Sequence, residues 1–332
     1  MPRLTFPTGT TTSTFASAFE DSTFAQPPNY QFSLMERILS LLPSTTEVLY
    51  ALGAEDTLAA VTHECDFPPQ AQNKPQVTSA RINPSFSSAK IDSLVREQLD
   101  DTGTLYALDM DLVRELRPDA VLTQQLCTVC AVGYETVRGA MRSLPEPPEV
   151  LNIEPRTLSE VFASFEQIAA LIDRRDAGAE LVRKLRERFS AIEKAPATRV
   201  LFLEWLIPPF SAGHWMAELV EGAGGIPVLA DQGSHSRNIS WETIAKADFD
   251  VLVVSPCGFN VERGMQDIES SPELRKLREE RPSLRVLLFD GNHYFSRPGP
   301  RLVESAEMLA KALRNIPSAE AGASIPVPYR FC

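Results

Sequence analysis

The chain has 332 residues, of which 43% are hydrophobic and 23% are charged. This composition is ordinary for a folded protein, and the length suggests two domains. The formal net charge of −12 argues against a nucleic-acid partner, because phosphate binding needs a basic face. No run of about 18 apolar residues occurs, so we expect no membrane-spanning helix. The odd number of cysteines, five, does not indicate a disulfide framework and favours a reducing compartment.

The first 34 residues are rich in Ser, Thr, Phe and Pro and show no periodicity. A secretory signal needs a basic start and then an apolar run of about 7–15 residues. The apolar stretch at 15–19 is shorter than that, and Glu20 and Asp21 follow it. We therefore expect a disordered leader at 1–34 and a cytoplasmic protein, with an organelle or the periplasm left open.

The next part of the chain alternates short apolar runs, typical of buried strands, with helical segments. The predicted strands are residues 37–42, 58–62, 119–123 and 149–153. A helix follows the first strand, where Ser44 and Glu47 have the spacing of a capping box, and another is predicted at 111–117. This alternation indicates crossover connections and a parallel sheet.

A helical region then separates two halves of the chain. Thr157 and Glu160 repeat the capping-box spacing, and a second helix at 177–192 carries its apolar residues on one stripe. The predicted organisation is a lobe at 35–174, a linker helix at 175–196, a lobe at 197–316 and a flexible tail at 317–332.

In the second lobe the alternation of strands and helices begins again. The predicted strands are residues 198–204, 227–230, 250–254 and 285–289. The predicted helices are residues 215–222, a helix that begins after Ser240, and residues 302–313. The chain is thus predicted to be an α/β protein with two lobes, each built on a parallel sheet.

Chemically versatile side chains gather in the loops that follow predicted strands. In open parallel sheets, ligands bind beyond the carboxyl ends of the strands, and all four histidines fall in such loops. The candidate ligand-binding residues are His63, Glu64, Cys65, Trp205, Phe210, His214, Trp215, Cys257, Phe259, Tyr294, Arg297 and Arg301. A buried cysteine also behaves as a small hydrophobe, and each tryptophan also suits a core position.

A metal centre is a second interpretation of the same loops, because thiolate and imidazole bind Zn and iron–sulfur clusters. The candidate metal ligands are His63, His214, Cys65, Cys127, Cys130 and Cys257. A third interpretation is an enzyme that uses a cysteine thiolate beside His or Glu64. Dinucleotide, phosphate-loop, nucleophile-elbow and zinc-helix motifs are absent from the sequence. We therefore assign no catalytic residue and expect a protein that is not an enzyme.

The order of the sequence blocks resembles one protein family. Residues 37–47, followed by Leu52 and Gly53, resemble the opening of class III substrate-binding proteins of ABC importers, most closely the cobalamin-binding branch. Further matching blocks lie at 63–68, 127–131, 210–215, 256–259 and 297–301, within a resemblance that spans about 35–317. The resemblance implies two Rossmann-like lobes bridged by a long helix. It also implies a large ligand, such as a corrinoid, haem or siderophore, between the lobes.

The main functional prediction is a binding protein for cobalamin or another corrinoid. The ring is expected between aromatic side chains, namely Trp205, Phe210, Trp215, Phe259 and Tyr294. His63 or His214 is expected to approach the cobalt, while Arg297 and Arg301 bond side-chain amides or phosphate. The thiols and the missing export signal depart from an importer component, so a cytosolic carrier is favoured. An ABC permease stays a possible partner, and a monomer is expected.

Overall fold

The computed structural model describes residues 35–83, 85–102, 105–124 and 133–315. The predicted leader, the predicted tail, and Cys127 and Cys130 lie outside the described residues. Among the described helices, none combines the length and the apolar character that crossing a membrane requires.

The first lobe is built on a four-stranded parallel sheet. The strands of this lobe are β1 (Ile38–Ser40), β2 (Leu58–Val61), β3 (Thr78–Ala80), β4 (Tyr106–Leu108), β5 (Ala120–Thr123) and β6 (Glu149–Asn152). The sheet has the order β2-β1-β5-β6, and β3 and β4 form a separate antiparallel pair. The helices are α1 (Pro43–Ala51), α2 (Ser88–Thr102), α3 (Met110–Leu116), α4 (Tyr134–Met141) and α5 (Leu158–Leu171).

Helix α6 (Arg175–Ser190) leads from the first lobe to the second and packs on helices of both. It buries Val182 and Leu185 in a hydrophobic cluster that also contains Phe165 of α5 and Phe202 of the second lobe. At its end, Arg188 donates to both carboxylate oxygens of Glu307, at 2.6 and 2.7 Å. The linker helix is therefore fixed to the cores of both lobes.

The second lobe contains a six-stranded sheet. Its strands are β7 (Thr198–Leu206), β8 (Pro209–Ser211), β9 (Gly225–Val228), β10 (Arg237–Asn238), β11 (Val251–Val254) and β12 (Arg285–Leu288). The order is β10-β8-β7-β11-β12, with β9 parallel to the first half of β7. The helices are α7 (Met216–Gly222), α8 (Trp241–Lys246), α9 (Val261–Ser270), α10 (Pro272–Glu280) and α11 (Leu302–Leu313).

The predicted two-lobed α/β fold is confirmed, with differences in detail. The second sheet is mixed, because β8 and β10 run antiparallel to their neighbours. The capping box at Ser44 is wrong: α1 begins at Pro43 after Leu42, which makes no side-chain cap, and a proline suits the first helical position. The capping bond at Thr157 is confirmed, since its hydroxyl accepts from the Glu160 amide.

Candidate functional site

The loops at the carboxyl ends of the two sheets meet. Phe259, after β11, accepts backbone hydrogen bonds from Gly291 and Asn292, after β12, at 2.9 and 3.1 Å. The Asn292 side-chain amide in turn donates to Asp66, after β2 in the first lobe, at 3.1 Å. Because β7, β11 and β12 are parallel neighbours, the loops after β2, β7, β11 and β12 form one continuous candidate site.

His63 is held by hydroxyl groups at the edge of the first sheet. Its Nδ1 lies 2.8 Å from Oγ1 of Thr78, which also lies 2.8 Å from Oγ1 of Thr62. Its ring is half-buried beside Tyr106, with 5.6 Å between ring centroids. Burial lowers the pKa of His63, so the ring is neutral at pH 7 and one nitrogen keeps a lone pair.

An aromatic pair lines the second lobe. Trp205 is half-buried and stacks at a tilt on Phe259, with 4.8 Å between ring centroids. Arg263, in the first turn of α9, places its guanidinium carbon over the Phe259 ring, 4.3 Å from the ring centroid, which is a cation–π contact. The indole nitrogen of Trp205 donates to the backbone oxygen of Ile207 at 3.0 Å. These contacts fix the orientation of the Trp205 ring.

His214 occupies a more enclosed position than His63. Its backbone has a φ of 54°, which lies in the left-handed region that few non-glycine residues adopt. Its ring packs on Trp215 and edge-on to His235, and its Nε2 is buried with no hydrogen-bond partner among the described residues. Burial lowers the pKa of His214 to about 4. His214 is neutral, but a ligand has no direct route to this nitrogen.

Arg297 and Arg301 are bound to acids of the first lobe. Arg297 contacts Asp66 at 2.6 Å, and Arg301 donates to both oxygens of Glu47, at 2.6 and 3.0 Å. The Glu47 side chain is only 2% exposed. Their predicted role as donors to a ligand conflicts with this pairing, because both guanidinium groups already face carboxylates.

His293 extends the same cluster between the lobes. Its ring nitrogens lie 2.7 Å from Asp290 and 3.1 Å from Asp66. Hydrogen bonds to these acids raise the pKa of His293 to about 9. Burial acts to raise the pKa of Asp66, but His293 and Arg297 outweigh it and hold that pKa well below its usual range. We call these residues the charge cluster: Glu47, Asp66, Asp290, His293, Arg297 and Arg301.

A second contact between the lobes lies at the start of α2. Ser88 donates to the Asp267 carboxylate of α9, and Arg263 donates to Ser88 and to the backbone oxygen of Phe86, at 3.2 and 3.1 Å. Arg263 also pairs with Asp267 at 2.8 Å within its own helix. Ser88 and Asp267 are 1% and 3% exposed. We call residues 85–88 the strap.

The charge cluster and the strap differ in the free energy that is needed to separate them. Separating the charge cluster strips buried carboxylates of their partners, and breaking a buried ion pair costs about 3–5 kcal/mol. Separating the strap leaves Arg263 and Asp267 paired. Only hydrogen bonds are lost there, each about 0.5–3 kcal/mol depending on charge.

The remaining predicted site residues divide into core and edge positions. Trp215 belongs to the largest hydrophobic core cluster, and its indole donates to the Phe295 backbone at 2.8 Å, so it is a core residue. Cys65 is 1% exposed. Half-buried edge positions are occupied by Glu64, Phe210, Cys257 and Tyr294. Burial raises the pKa of Glu64, whose carboxylate accepts from the Tyr106 hydroxyl at 3.2 Å.

The predicted Zn or iron–sulfur centre has no support in the described residues. There, no group of three or more His, Cys, Asp or Glu side chains is arranged to hold a metal ion. Burial raises the pKa of the Cys65 thiol to about 12, and only the thiolate binds metal or attacks a substrate well. Cys65 is therefore suited neither to a metal site nor to a thiol-dependent enzyme.

Several residues of this region escaped the sequence analysis. Asp66 and Glu47 hold the charge cluster, Thr78 orients His63, and Asp267 anchors the strap. Glu204, in the last part of strand β7 directly before Trp205, is another: burial raises its pKa to about 7. Only Asp66, directly after a strand beside His63, had a position in the sequence that indicated a site.

Comparison with known proteins identifies the family. The model of the periplasmic binding protein family matches residues 38–278. This chain belongs to that family. A curated relative, the vitamin B12-binding protein of Photorhabdus laumondii, is 23% identical over 310 residues, which cover 91% of this chain and 93% of the relative.

Solved structures of the family share the fold. The periplasmic vitamin B12 binding protein of Vibrio cholerae matches with a TM-score of 0.58 and 18% identity, covering 85% of this chain and 98% of that one. A periplasmic heme binding protein from Pseudomonas aeruginosa matches with a TM-score of 0.63 and 17% identity, covering 89% and 97%. At these identities the likeness establishes the two-lobed fold and not the ligand.

The family corrects the predicted location. The sequence alone predicts a cytoplasmic protein, and this prediction is wrong: the matching family and both structural neighbours are periplasmic binding proteins. That expectation relied partly on the thiols. Because Cys65 is buried and its thiol pKa is about 12, the thiol is protected from oxidation by its position. A cysteine of this kind carries no information about the compartment.

Proposed function

We propose that this chain binds a corrinoid of the cobalamin type between its lobes. The relatives named as vitamin B12-binding proteins support this ligand class. The observation that carries the proposal is His63, a neutral and oriented imidazole at the edge where the two lobes meet. A corrinoid is a broad apolar ring with a metal at its centre, which suits an imidazole on one side and aromatic rings on the other.

His63 is the proposed axial ligand of cobalt. When Nδ1 carries the proton and donates to Thr78, Nε2 keeps its lone pair and its direction is fixed. Histidines that bind metals commonly donate their second nitrogen to such a partner. His214 is the less suitable candidate, because its Nε2 is buried.

The proposed wall of the site is aromatic. Trp205 and Phe259 form its centre, and Phe210 and Tyr294 extend it. Glu64 and Cys257 line the edges with polar atoms. Arg297 and Arg301 serve by holding the lobes together around the ligand rather than by touching it.

Haem is the second candidate ligand, because a structural neighbour is named as a heme binding protein. An aromatic wall with one neutral histidine suits an iron porphyrin on the same grounds as a corrinoid. The two ligands differ in the groups on the edge of the ring, because a corrinoid carries neutral amides there, whereas haem carries two carboxylates. The only arginines predicted to contact a ligand, Arg297 and Arg301, are paired with Asp66 and Glu47, which favours the neutral edge.

The test is a titration with hydroxocobalamin followed by desalting and a visible absorption spectrum. The wild-type protein is expected to retain the corrin band and to shift it, because imidazole replaces water on cobalt. His63→Ala should abolish the shift and weaken binding at least about tenfold, the equivalent of about 1.4 kcal/mol. His214→Ala is the matched control and should keep the shift.

Other outcomes have equally clear meanings. Retention of hemin with no retention of hydroxocobalamin would replace the corrinoid by haem. A shift that survives His63→Ala and disappears in His214→Ala would reverse the assignment of the axial ligand.

We also propose an ABC permease as the partner that receives the ligand from this protein, because periplasmic binding proteins are components of ABC importers.

A further inference from the structure

The strap is an outgrowth of the first lobe that reaches α9 of the second. It follows β3, whose Thr78 holds His63, and it ends in the first turn of α2. Its contact residues on α9 are Arg263 and Asp267. The strap therefore joins the two lobes at the edge of the candidate site, beside Phe259.

The strap is also connected to the aromatic wall. Arg263, which donates to Phe86 and Ser88, lies over the Phe259 ring, and that ring stacks on Trp205. A movement of the strap removes two acceptors from Arg263. The guanidinium keeps Asp267 as its partner, so the movement leaves no unpaired charge.

The charge cluster offers no comparable way to open. Each arginine there pairs with a carboxylate of the opposite lobe, and separation leaves charges without partners on both sides. The linker helix α6 is fixed to both lobes as well. Of these three connections between the lobes, the strap is the one that opens without breaking an ion pair.

We propose that the strap is the gate through which the ligand enters and leaves, and that Ser88 is its latch. The Ser88 hydroxyl joins the strap to the buried Asp267 carboxylate, and Arg263 couples the closed strap to the position of Phe259 and Trp205. This inference rests on the proposed binding of a ligand between the lobes.

The first test needs no ligand. In a Trp241→Phe background, Trp205 is the remaining half-buried tryptophan, while Trp215 is in the core. Ser88→Ala removes the latch and keeps the Arg263–Asp267 pair. We expect acrylamide to quench Trp205 more strongly in this variant, and the amides at 86–91 to exchange hydrogen about tenfold faster. Ser93→Ala is the matched control, because its hydroxyl donates to the exposed Glu97 of the same helix and has no other partner among the described residues.

The second test measures exchange of cyanocobalamin by stopped-flow fluorescence. Ser88→Ala should raise the association and dissociation rate constants together, each by about tenfold, and change Kd less than twofold. An altered Kd with unchanged rates would overturn the gate. So would increased quenching with unchanged rates, because the ligand then uses another route.

A second variant distinguishes the proposed gate from a folding defect caused by Ser88→Ala. Arg263→Gln with Asp267→Asn replaces the ion pair by a neutral pair of similar shape and also weakens the strap contact. It should reproduce the faster rates if it melts within a few degrees of the wild type. If the wild type binds neither cyanocobalamin nor hemin, the proposed function fails. In that case the acrylamide quenching of Trp205 and the hydrogen exchange at 86–91 test the gate by themselves. If neither changes in Ser88→Ala, the gate is overturned.

Discussion

The charge cluster and the strap, two of the contacts between the lobes, use similar atoms in opposite ways. In the charge cluster, the ion pairs of Arg297 and Arg301 and one of the two pairs of His293 cross from one lobe to the other. At the strap, the ion pair of Arg263 and Asp267 stays within α9, and only hydrogen bonds cross. The location of the charges, rather than their number, therefore decides which contact loses ion pairs when it separates.

The connection of the charge cluster to helix α11 also opposes separation of the lobes on this side. Arg297 and Arg301 precede α11, which packs against α6 and α7. Gly299 lies between them and approaches Glu47 so closely that an added Cβ would stand 3.1 Å from its carboxylate. The loop before α11 therefore rests on α1, and opening this side would disturb the packing of the linker helix.

The largest expected effect is that of Arg297→Ala on the charge cluster. The change leaves Asp66 without its closest cation in a part-buried site, and breaking such a pair costs about 3–5 kcal/mol. Urea unfolding should show this loss of stability at pH 7. Arg183→Ala, which breaks pairs on the exposed face of α6, is the control and should change little. A small effect of Arg297→Ala would remove the basis of the comparison.

The charge cluster also marks the limit of what the sequence could reveal. The alternation of apolar runs predicted the strands β1, β2, β5, β6, β7, β9, β11 and β12 and the linker helix close to their observed bounds. The residues that pair across the lobes are distant in sequence: Arg301 and Glu47 lie 254 positions apart. Periodicity carries no information about such a contact.

The candidate site was predictable in location but not in detail. The rule that ligands bind at carboxyl ends of strands predicts a site in the loops of His63, Trp205 and Phe259, and these loops adjoin through Asp66, Asn292 and Phe259. It did not separate Trp215, whose indole faces the core, from Trp205, whose ring lies at the edge. The strap was missed, because residues 85–88 form neither an apolar run nor a helical stripe that could indicate a contact with a distant helix.

The dependence of stability on pH tests single titratable groups, and among these the largest expected effect is that of Glu204. Its pKa is about 7 in the folded protein against a usual value of 4.5. The folded state therefore holds a proton that the unfolded state releases, and stability should fall as pH rises from 4.5 to 7. The loss is at most about 3 kcal/mol. Glu204→Gln, measured by urea unfolding across this range, should remove the slope and stabilise the protein at pH 8.

His293 should give a smaller effect in a separate window. Its pKa is about 9 in the folded protein against 6.5, because the charged ring pairs with Asp66 and Asp290 beside Arg297. The stability it contributes is complete below pH 6.5 and is lost as pH rises through 9. Since 37% of its side chain is exposed, solvent screening limits the effect to about 1 kcal/mol or less.

The measurement for His293 compares both contacts in one experiment. Hydrogen exchange between pH 6.5 and 9.5, corrected for the intrinsic rate, should show weakening protection at residues 63–66 in the wild type. His293→Gln should abolish this dependence on pH. Protection of the strap amides at 86–91 should not depend on pH in either protein, because no histidine contacts Ser88, Arg263 or Asp267 among the described residues. Parallel loss at both places would mean that the lobes separate as one unit, and the distinction between a permanent contact and a gate would fail.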